Sequence, residues 1–192
     1  MKKFRNMATK QRGFTLIELA IVVGIGFLLI GIGLYKAPAL MASYRANAEL
    51  QELPQVVTNI QKGYANNPNY SVVTLDSIAR LDAFPQNRVT IPSSGSATAA
   101  NRWGGDITFA TGTINTTADI GRLIYKGVPS SECKQVILGV GQMFRRVYVD
   151  SGNSGSVGAG TLVKPDGVAV NEAMVGTGCS GASNSITYDF AK

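Results

Sequence analysis

The chain begins with a short polar, basic stretch that gives way to one long run of apolar residues. Residues 14–35 read FTLIELAIVVGIGFLLIGIGLY, and Glu18 is the one charged side chain among them. An α-helix rises about 1.5 Å per residue, so the roughly 22 residues of this run would extend about 33 Å, enough to cross a bilayer. The pattern therefore predicts a membrane-spanning helix over residues 14–35.

Beyond this run, apolar positions keep a helical spacing but alternate with polar ones. The apolar side chains that recur at helix-like intervals are Leu40, Tyr44, Ala48, Leu53, Val56, Val57 and Ile60. The polar positions between them include Lys36, Arg45, Asn47, Glu49, Glu52 and Gln55. The helix is thus predicted to continue as an amphipathic half over residues 36–63. Pro38 and Pro54 each remove a backbone hydrogen bond and are expected to kink or interrupt it.

The remainder of the chain changes to short segments separated by turns. Two short helices are predicted, one over residues 75–84, before Pro85, and one over residues 130–144. Their candidate N-caps are Thr74 or Asp76 for the first helix and Ser130 or Ser131 for the second.

Short apolar runs between these helices predict strands. They lie at residues 103–114, 119–128, 145–150 and 185–192, with a hairpin at 161–170 around Pro165-Asp166-Gly167. Residues 92–101 and 152–160 are small-residue loops. Four or five strands after a helix-rich start predict an α+β fold, in which the long N-terminal helix packs on an antiparallel sheet. The globular head is assigned to residues 64–192.

The positive charge of the chain is concentrated at its start. The net charge is +6, but residues 1–13 hold five of the 18 bases and no acid, which leaves 13 bases against 12 acids. Those five bases should stay on the cytoplasmic side, so the chain beyond the apolar run is translocated. Because no basic stripe with interleaved aromatic residues follows, we expect no nucleic-acid partner.

The chain has two cysteines, Cys133 and Cys179, and no histidine. This composition excludes Cys/His metal sites and Cys–His or Ser–His nucleophiles, so we predict no metal, no cofactor and no enzymatic activity. In a translocated chain the expected arrangement is one structural disulfide, which would contribute about 4 kcal/mol by the loop-entropy model. The alternative is a pair of buried free thiols in a cytosolic protein.

The basic start, Gly13 and the following Phe-Thr-Leu-Ile-Glu-Leu resemble a type IV prepilin. The resemblance implies a leader peptide at residues 1–13, cut by a peptidase between Gly13 and Phe14, with methylation of the new amine of Phe14. It also implies that Glu18 neutralises the Phe14 ammonium of an adjacent subunit and sets its axial register, since an opposite charge offsets the burial penalty of each group. The alternative for Glu18 is a chance acid in a signal anchor.

The later part of the chain resembles the type IVb pilins in its order of elements. A strand ending at Pro129, a helix carrying Cys133, a further strand and a late cysteine before a C-terminal strand match that order, and the Trp-Gly-Gly at 103–105 is also pilin-like. The fold implied is pilin-like.

The resemblance implies a structural, major subunit of a bacterial type IV pilus, serving adhesion, aggregation or conjugative contact. The precursor would lie in the inner membrane and the assembled filament outside the cell. The implied partners are identical subunits, the leader peptidase, an assembly ATPase and platform, an outer-membrane secretin and a receptor on a host or bacterial surface. The alternatives are a minor pilin or secretion-system pseudopilin, and a membrane-anchored binding protein that does not polymerise.

Glycines in the apolar half have two competing interpretations. They are Gly24, Gly26, Gly31 and Gly33, and each weakens the helix by up to about 1 kcal/mol. Small residues allow close helix packing in a membrane. The other interpretation is a stretch that melts locally when the helix leaves lipid for a filament core.

Overall fold

The computed structural model of the chain describes residues 14–192. Its contacts divide the chain into a first unit that ends at Met41 and a second unit formed by residues 42–192. Helix α1 begins at Leu16 and ends at Gly63, the end point that the sequence predicts.

Helix α1 is not interrupted at either of its prolines. The helix is continuous through Pro38 and Pro54, so the possibility of a break at these positions is not realised. Around Pro54 the helix is held by burial of Leu53, Val56 and Val57, and the Thr58 hydroxyl donates to the Pro54 carbonyl at 2.8 Å. One missing backbone hydrogen bond is therefore tolerated because packing fixes the same turns.

Three further helices and seven strands follow α1 in the part of the chain that the structure describes. The helices are α2 (Leu75–Arg80), α3 (Ser130–Val140) and α4 (Glu172–Gly178). The strands are β1 (Val89–Thr90), β2 (Thr98–Ala100), β3 (Asp106–Gly112), β4 (Ile120–Val128), β5 (Arg146–Asp150), β6 (Thr161–Lys164) and β7 (Asn184–Ala191). Short 3₁₀ turns occupy Gln86–Arg88 and Gly141–Met143.

The strands form one sheet in the order β1-β2-β3-β4-β7-β5-β6, and every pairing is antiparallel. The predicted α+β class with an antiparallel sheet on the long helix is confirmed. The predicted number of four or five strands is too low, because β1 and β2 at one edge are only two and three residues long. Strands this short, with small side chains, carry no measurable alternation.

The core lies between the C-terminal part of α1 and one face of the sheet. Helix α1 contributes Leu53, Val56, Val57 and Ile60 to it. The facing positions of the sheet are Ile107 on β3, Leu123 and Tyr125 on β4, Val147 and Val149 on β5, and Ile186, Tyr188 and Phe190 on β7. Registers place these residues opposite one another, so alternate positions of four adjacent strands cover the helix.

Helix boundaries in the head differ from the predictions at three points, one of which is the end of α3 at Val140 rather than at residue 144. Thr74 is the N-cap of α2 and forms a capping box with Ser77, but the helix ends at Arg80 rather than continuing to residue 84. The N-cap of α3 is Pro129 and makes no side-chain cap, so the prediction of a serine cap is wrong. The Ser130 hydroxyl instead donates to the Cys179 carbonyl, because α4 lies close to the start of α3.

The predicted hairpin at residues 161–170 is half correct. The chain turns at Gly167, where φ is +69°, but no second strand follows. The Asn171 N–H donates to the Val163 carbonyl at 2.9 Å, and its side chain accepts from the Met174 N–H to cap α4. The Asn-Glu pair at 171–172 is a helix-start signal that outweighs the hairpin pattern.

The loop between β3 and β4 is held by one carboxylate. Asp119 accepts hydrogen bonds from the backbone N–H groups of Ile114, Asn115 and Thr116 at 2.8, 2.7 and 3.0 Å. These bonds lower the pKa of Asp119 to about 2. A depressed pKa means that the unfolded state binds the proton more tightly, so this stabilisation is present above about pH 4 and lost as the pH falls towards 2.

We therefore expect Asp119→Ala to lower the urea midpoint of the full chain in detergent near neutral pH. The difference from the parent should shrink as the pH is lowered from about 4 to about 2. Fluorescence of Trp103, the one tryptophan, follows the transition. Asp106→Ala, at an exposed position on β3, controls for the loss of a surface carboxylate. A difference that stays constant down to the lowest pH would contradict the role given to Asp119.

Candidate functional site

The predicted cleavage position lies at the edge of the described residues. Gly13 is outside them, so cleavage between Gly13 and Phe14 stays a prediction. Phe14 precedes α1 and is 83% exposed. Methylation of its amine is likewise a prediction.

Glu18 lies in the first turn of α1, where it pairs with Thr15. The Thr15 N–H and hydroxyl donate to Glu18 Oε2 at 3.0 and 3.1 Å, and the Glu18 N–H donates to Thr15 Oγ1 at 3.3 Å. These reciprocal bonds form a capping box, which satisfies backbone donors at the start of a helix. Glu18 thus has a local structural role within one chain, and any role in assembly must be separated from it by experiment.

The N-terminal part of α1 presents apolar side chains that are exposed on all sides. Residues 16–34 carry exposed leucine, isoleucine, valine and phenylalanine side chains. The helix is long and apolar enough to cross a membrane, with a mean hydropathy of 2.5 in its most apolar window. An apolar surface of this size requires lipid or other helices as its surroundings.

A buried network of four charges connects α1 to the segment that leads into β3. Arg88 Nη1 lies 3.0 Å from Glu49 Oε2 and also contacts Glu52, and Arg102 contacts Glu52. The Arg88 Nε–H donates to the Ala100 carbonyl at 2.9 Å. Glu49 is 1% exposed, and Glu52 and Arg88 are also buried. The network joins positions that are 36 to 50 residues apart in the chain.

The position of these glutamates corrects the helical pattern predicted from the sequence. The sequence pattern places Glu49 and Glu52 on the polar face, but both are buried. It places Leu40 and Tyr44 on the apolar face, but both are exposed. Burial raises the pKa of Glu49, while the charge of Arg88 acts in the opposite direction. The available signal was the spacing of the two acids, three residues apart and in line with the buried Leu53, which places them on one face of a helix.

The predicted disulfide is present in the structure. Cys133 of α3 is bonded to Cys179, which follows α4, and both residues are fully buried. The bond encloses β5, β6 and α4 in one covalent loop with a sequence separation of 46 residues. Within residues 14–192, no cluster of three or more Asp, Glu, Cys or His side chains could hold a metal ion.

Family models match two parts of the chain, the N-terminal segment and most of the remainder. The prokaryotic N-terminal methylation motif matches residues 8–34, a range that contains Gly13, Phe14 and Glu18. The family described as PilS N terminal matches residues 43–189, well over half of the chain. The chain belongs to the PilS family. Its resemblance to the type IV pilins is thereby confirmed.

Two solved pilin structures resemble this PilS-family fold. A type IVb pilin from Salmonella typhi has a TM-score of 0.57 at 20% identity, over 76% of this chain and 99% of that chain. TcpA, a type IV pilin from Vibrio cholerae El Tor biotype, has a TM-score of 0.53 at 17% identity, over 77% of this chain and 99% of that chain. Among curated protein sequences, none matches the chain.

The family and the fold together make this chain a type IVb-like pilin, a pilus subunit from a family of structural proteins. The apolar helix and the methylation motif fit a membrane-anchored precursor and a surface pilus.

Proposed function

We propose that this PilS-family pilin is the major structural subunit of a type IVb-like pilus and that it polymerises through helix α1. The observation that carries the proposal is the exposed apolar segment of α1 at residues 16–34, which follows the start of a matched methylation motif. A membrane buries this segment in the precursor. In a filament, the same segments from other copies bury it.

The precursor is processed at the junction of residues 1–13 and the apolar segment. Cleavage between Gly13 and Phe14 removes five positive charges and exposes the Phe14 amine, which is then methylated. Glu18 of one subunit pairs with the Phe14 ammonium of the next, because neither charge is stable alone in an apolar core. Residues 14–35 then form the membrane and assembly half of the long helix, residues 36–63 its amphipathic half, and residues 64–192 the head.

The assembled pilus lies outside the cell and serves adhesion, aggregation or conjugative contact. Its assembly requires a leader peptidase, an ATPase with its platform in the inner membrane and an outer-membrane secretin. A receptor on a host or bacterial surface would be recognised by the head, residues 64–192.

Immunogold electron microscopy with antibodies against the head distinguishes the candidate functions. The major-subunit proposal predicts filaments that are labelled along their whole length and vanish when the gene is deleted. Sparse or terminal label on filaments that persist after the deletion would instead favour a minor pilin or pseudopilin. Label confined to the membrane, with no filaments, would favour an anchored protein that does not polymerise.

A further inference from the structure

The last strand of the chain occupies a central place in the sheet. Strand β7 lies between β4 and β5, and it pairs with both along most of its length. Val128 at the end of β4 pairs with Asn184 at the start of β7, although the two residues are separated by 56 positions in sequence. The sheet is therefore incomplete until the final residues of the chain enter it.

The disulfide lies beside the point where β7 enters. Cys133 follows the end of β4 at Val128 by five residues, and Cys179 precedes the start of β7 at Asn184 by five. Through the disulfide, the covalent path between Val128 and Asn184 passes through only about 10 residues. The bond therefore converts a distant pairing into the equivalent of a hairpin with a short loop.

Side-chain contacts fix the same junction. The Asn184 side-chain amide donates to the Val128 carbonyl at 3.0 Å and to the Gly181 carbonyl at 2.8 Å, while the Gly181 N–H donates back to Asn184 Oδ1 at 3.0 Å. The Ser130 hydroxyl donates to the Cys179 carbonyl. The short segment between the disulfide and β7 is thus held against the end of β4.

A buried ion-pair cluster, formed by Asp189 with Arg122 and Arg146, lies further along β7. The fully buried Asp189 accepts from Arg122 Nε on β4 at 2.8 Å and from Arg146 Nε on β5 at 3.0 Å. All three residues are paired in register across the three strands. Placing β7 between its neighbours therefore brings one buried carboxylate to two guanidinium groups at once.

We propose that the Cys133–Cys179 disulfide accelerates the pairing of β7 with β4 and β5 during folding. We also propose that this pairing is the rate-limiting step in forming the complete sheet. The entropic free-energy cost of closing a loop of n residues grows as about (3/2)RT ln n. Shortening the path from about 56 to about 10 residues should then make the encounter of β4 and β7 roughly tenfold faster. The disulfide therefore affects the rate of folding as well as the free energy of unfolding.

Refolding kinetics of the full chain in detergent test the proposal. The parent with its disulfide intact and Cys133→Ala/Cys179→Ala are diluted from urea and followed by Trp103 fluorescence. Pulse-labelling hydrogen exchange reports when the amides of β7 become protected. We expect the double variant to refold about tenfold more slowly, with late protection of β7. An unchanged refolding rate, with all of the lost stability appearing as faster unfolding, would overturn the proposal.

Val175→Ala is the matched control for the double variant. It removes buried side-chain volume from α4 but leaves the disulfide in place. It should mainly accelerate unfolding, and a tenfold slowing of refolding in this control would also overturn the proposal.

A second variant keeps the test decisive if the double variant does not fold. Asp189→Asn retains the disulfide and weakens the ion pairs of Asp189 with Arg122 and Arg146. It should therefore slow refolding if the pairing of β7 with its neighbours is rate-limiting. Asp166→Asn is its control, since Asp166 forms an exposed pair with Arg145. If Asp189→Asn changed only the unfolding rate, the proposed rate-limiting entry of β7 would be wrong.

Discussion

Glu18→Gln is expected to reduce the yield of surface filaments by at least about a hundredfold while leaving the head folded. Loss of one partner from a charge pair in an apolar environment costs about 3–5 kcal/mol, and each 1.4 kcal/mol is about a factor of ten. Glutamine is also an accepted residue at this position of a capping box, so the start of α1 should be retained. The measurement is the amount of pilin in the sheared surface fraction, relative to the amount in membranes.

Thr15→Ala is the matched control for this experiment. It removes the capping partner that Glu18 contacts at 3.1 Å but leaves the carboxylate in place. If charge pairing between subunits drives assembly, Thr15→Ala should still give filaments. Filaments from Glu18→Gln, together with their loss in Thr15→Ala, would show that the role of Glu18 is capping rather than assembly.

Arg88→Met is expected to destabilise the head by about 3–5 kcal/mol, because it leaves two buried carboxylates with only Arg102 beside them. Glu49 and Glu52 already lie within contact distance of the same guanidinium. Methionine keeps much of the side-chain volume, so the loss reports on charge. Urea unfolding of the full chain in detergent, followed by Trp103 fluorescence, measures it.

The pH dependence of this variant provides a second readout. Burial raises the pKa of Glu49, and removal of the Arg88 charge should raise it further. A raised pKa means that the folded state binds the proton more tightly than the unfolded state, so the stability of Arg88→Met should increase as the pH falls from 7 towards the ordinary range of a glutamate. The difference in the free energy of unfolding between Arg88→Met and the parent should therefore become smaller in mild acid.

Arg80→Met controls for the loss of an arginine from an ion pair. Arg80 pairs with Asp76 at 2.9 Å on the surface of α2, where Arg80 is exposed and Asp76 is partly exposed. Exposed pairs of this spacing contribute about 0.3–0.5 kcal/mol, so this variant should remain close to the parent. Equal losses in the two variants would contradict a special role for the buried network.

Local signals in the sequence predict much of this fold. The apolar and amphipathic pattern over residues 14–63 predicts α1, and a cap at Thr74 or Asp76 predicts the start of α2. Strands β3, β4, β5 and β7 are long enough for their apolar and β-branched residues to be recognised. Each of these predictions depends on neighbours within a few residues, where propensity and periodicity act directly.

The features that the sequence does not predict depend on distant partners. Nothing near Glu49 indicates Arg88, 39 positions further on, as its partner, so the charge of Glu49 leads to its assignment to solvent even though its helical spacing places it on the buried face. In the same way, the place of β7 between β4 and β5 depends on pairings across many residues. A short-range pattern reports which face of an element is apolar, but it does not report which element covers that face.

For the candidate site, the sequence identifies the N-terminal motif and the two cysteines. It does not identify the buried four-charge network that joins α1 to Arg88 and Arg102. Glu18 and Phe14 belong to a contiguous motif, which a single sequence can display. The disulfide follows from two cysteines in a translocated chain. The four-charge network has no contiguous signature, because its members come from α1, the turn before β1 and the turn before β3.

The most direct test of the account is the intact mass and peptide map of the protein sheared from the cell surface. The account predicts a chain that begins at methylated Phe14, with Cys133 linked to Cys179. A chain that still begins at Met1 and is found only in membranes would contradict a processed, polymerising pilin.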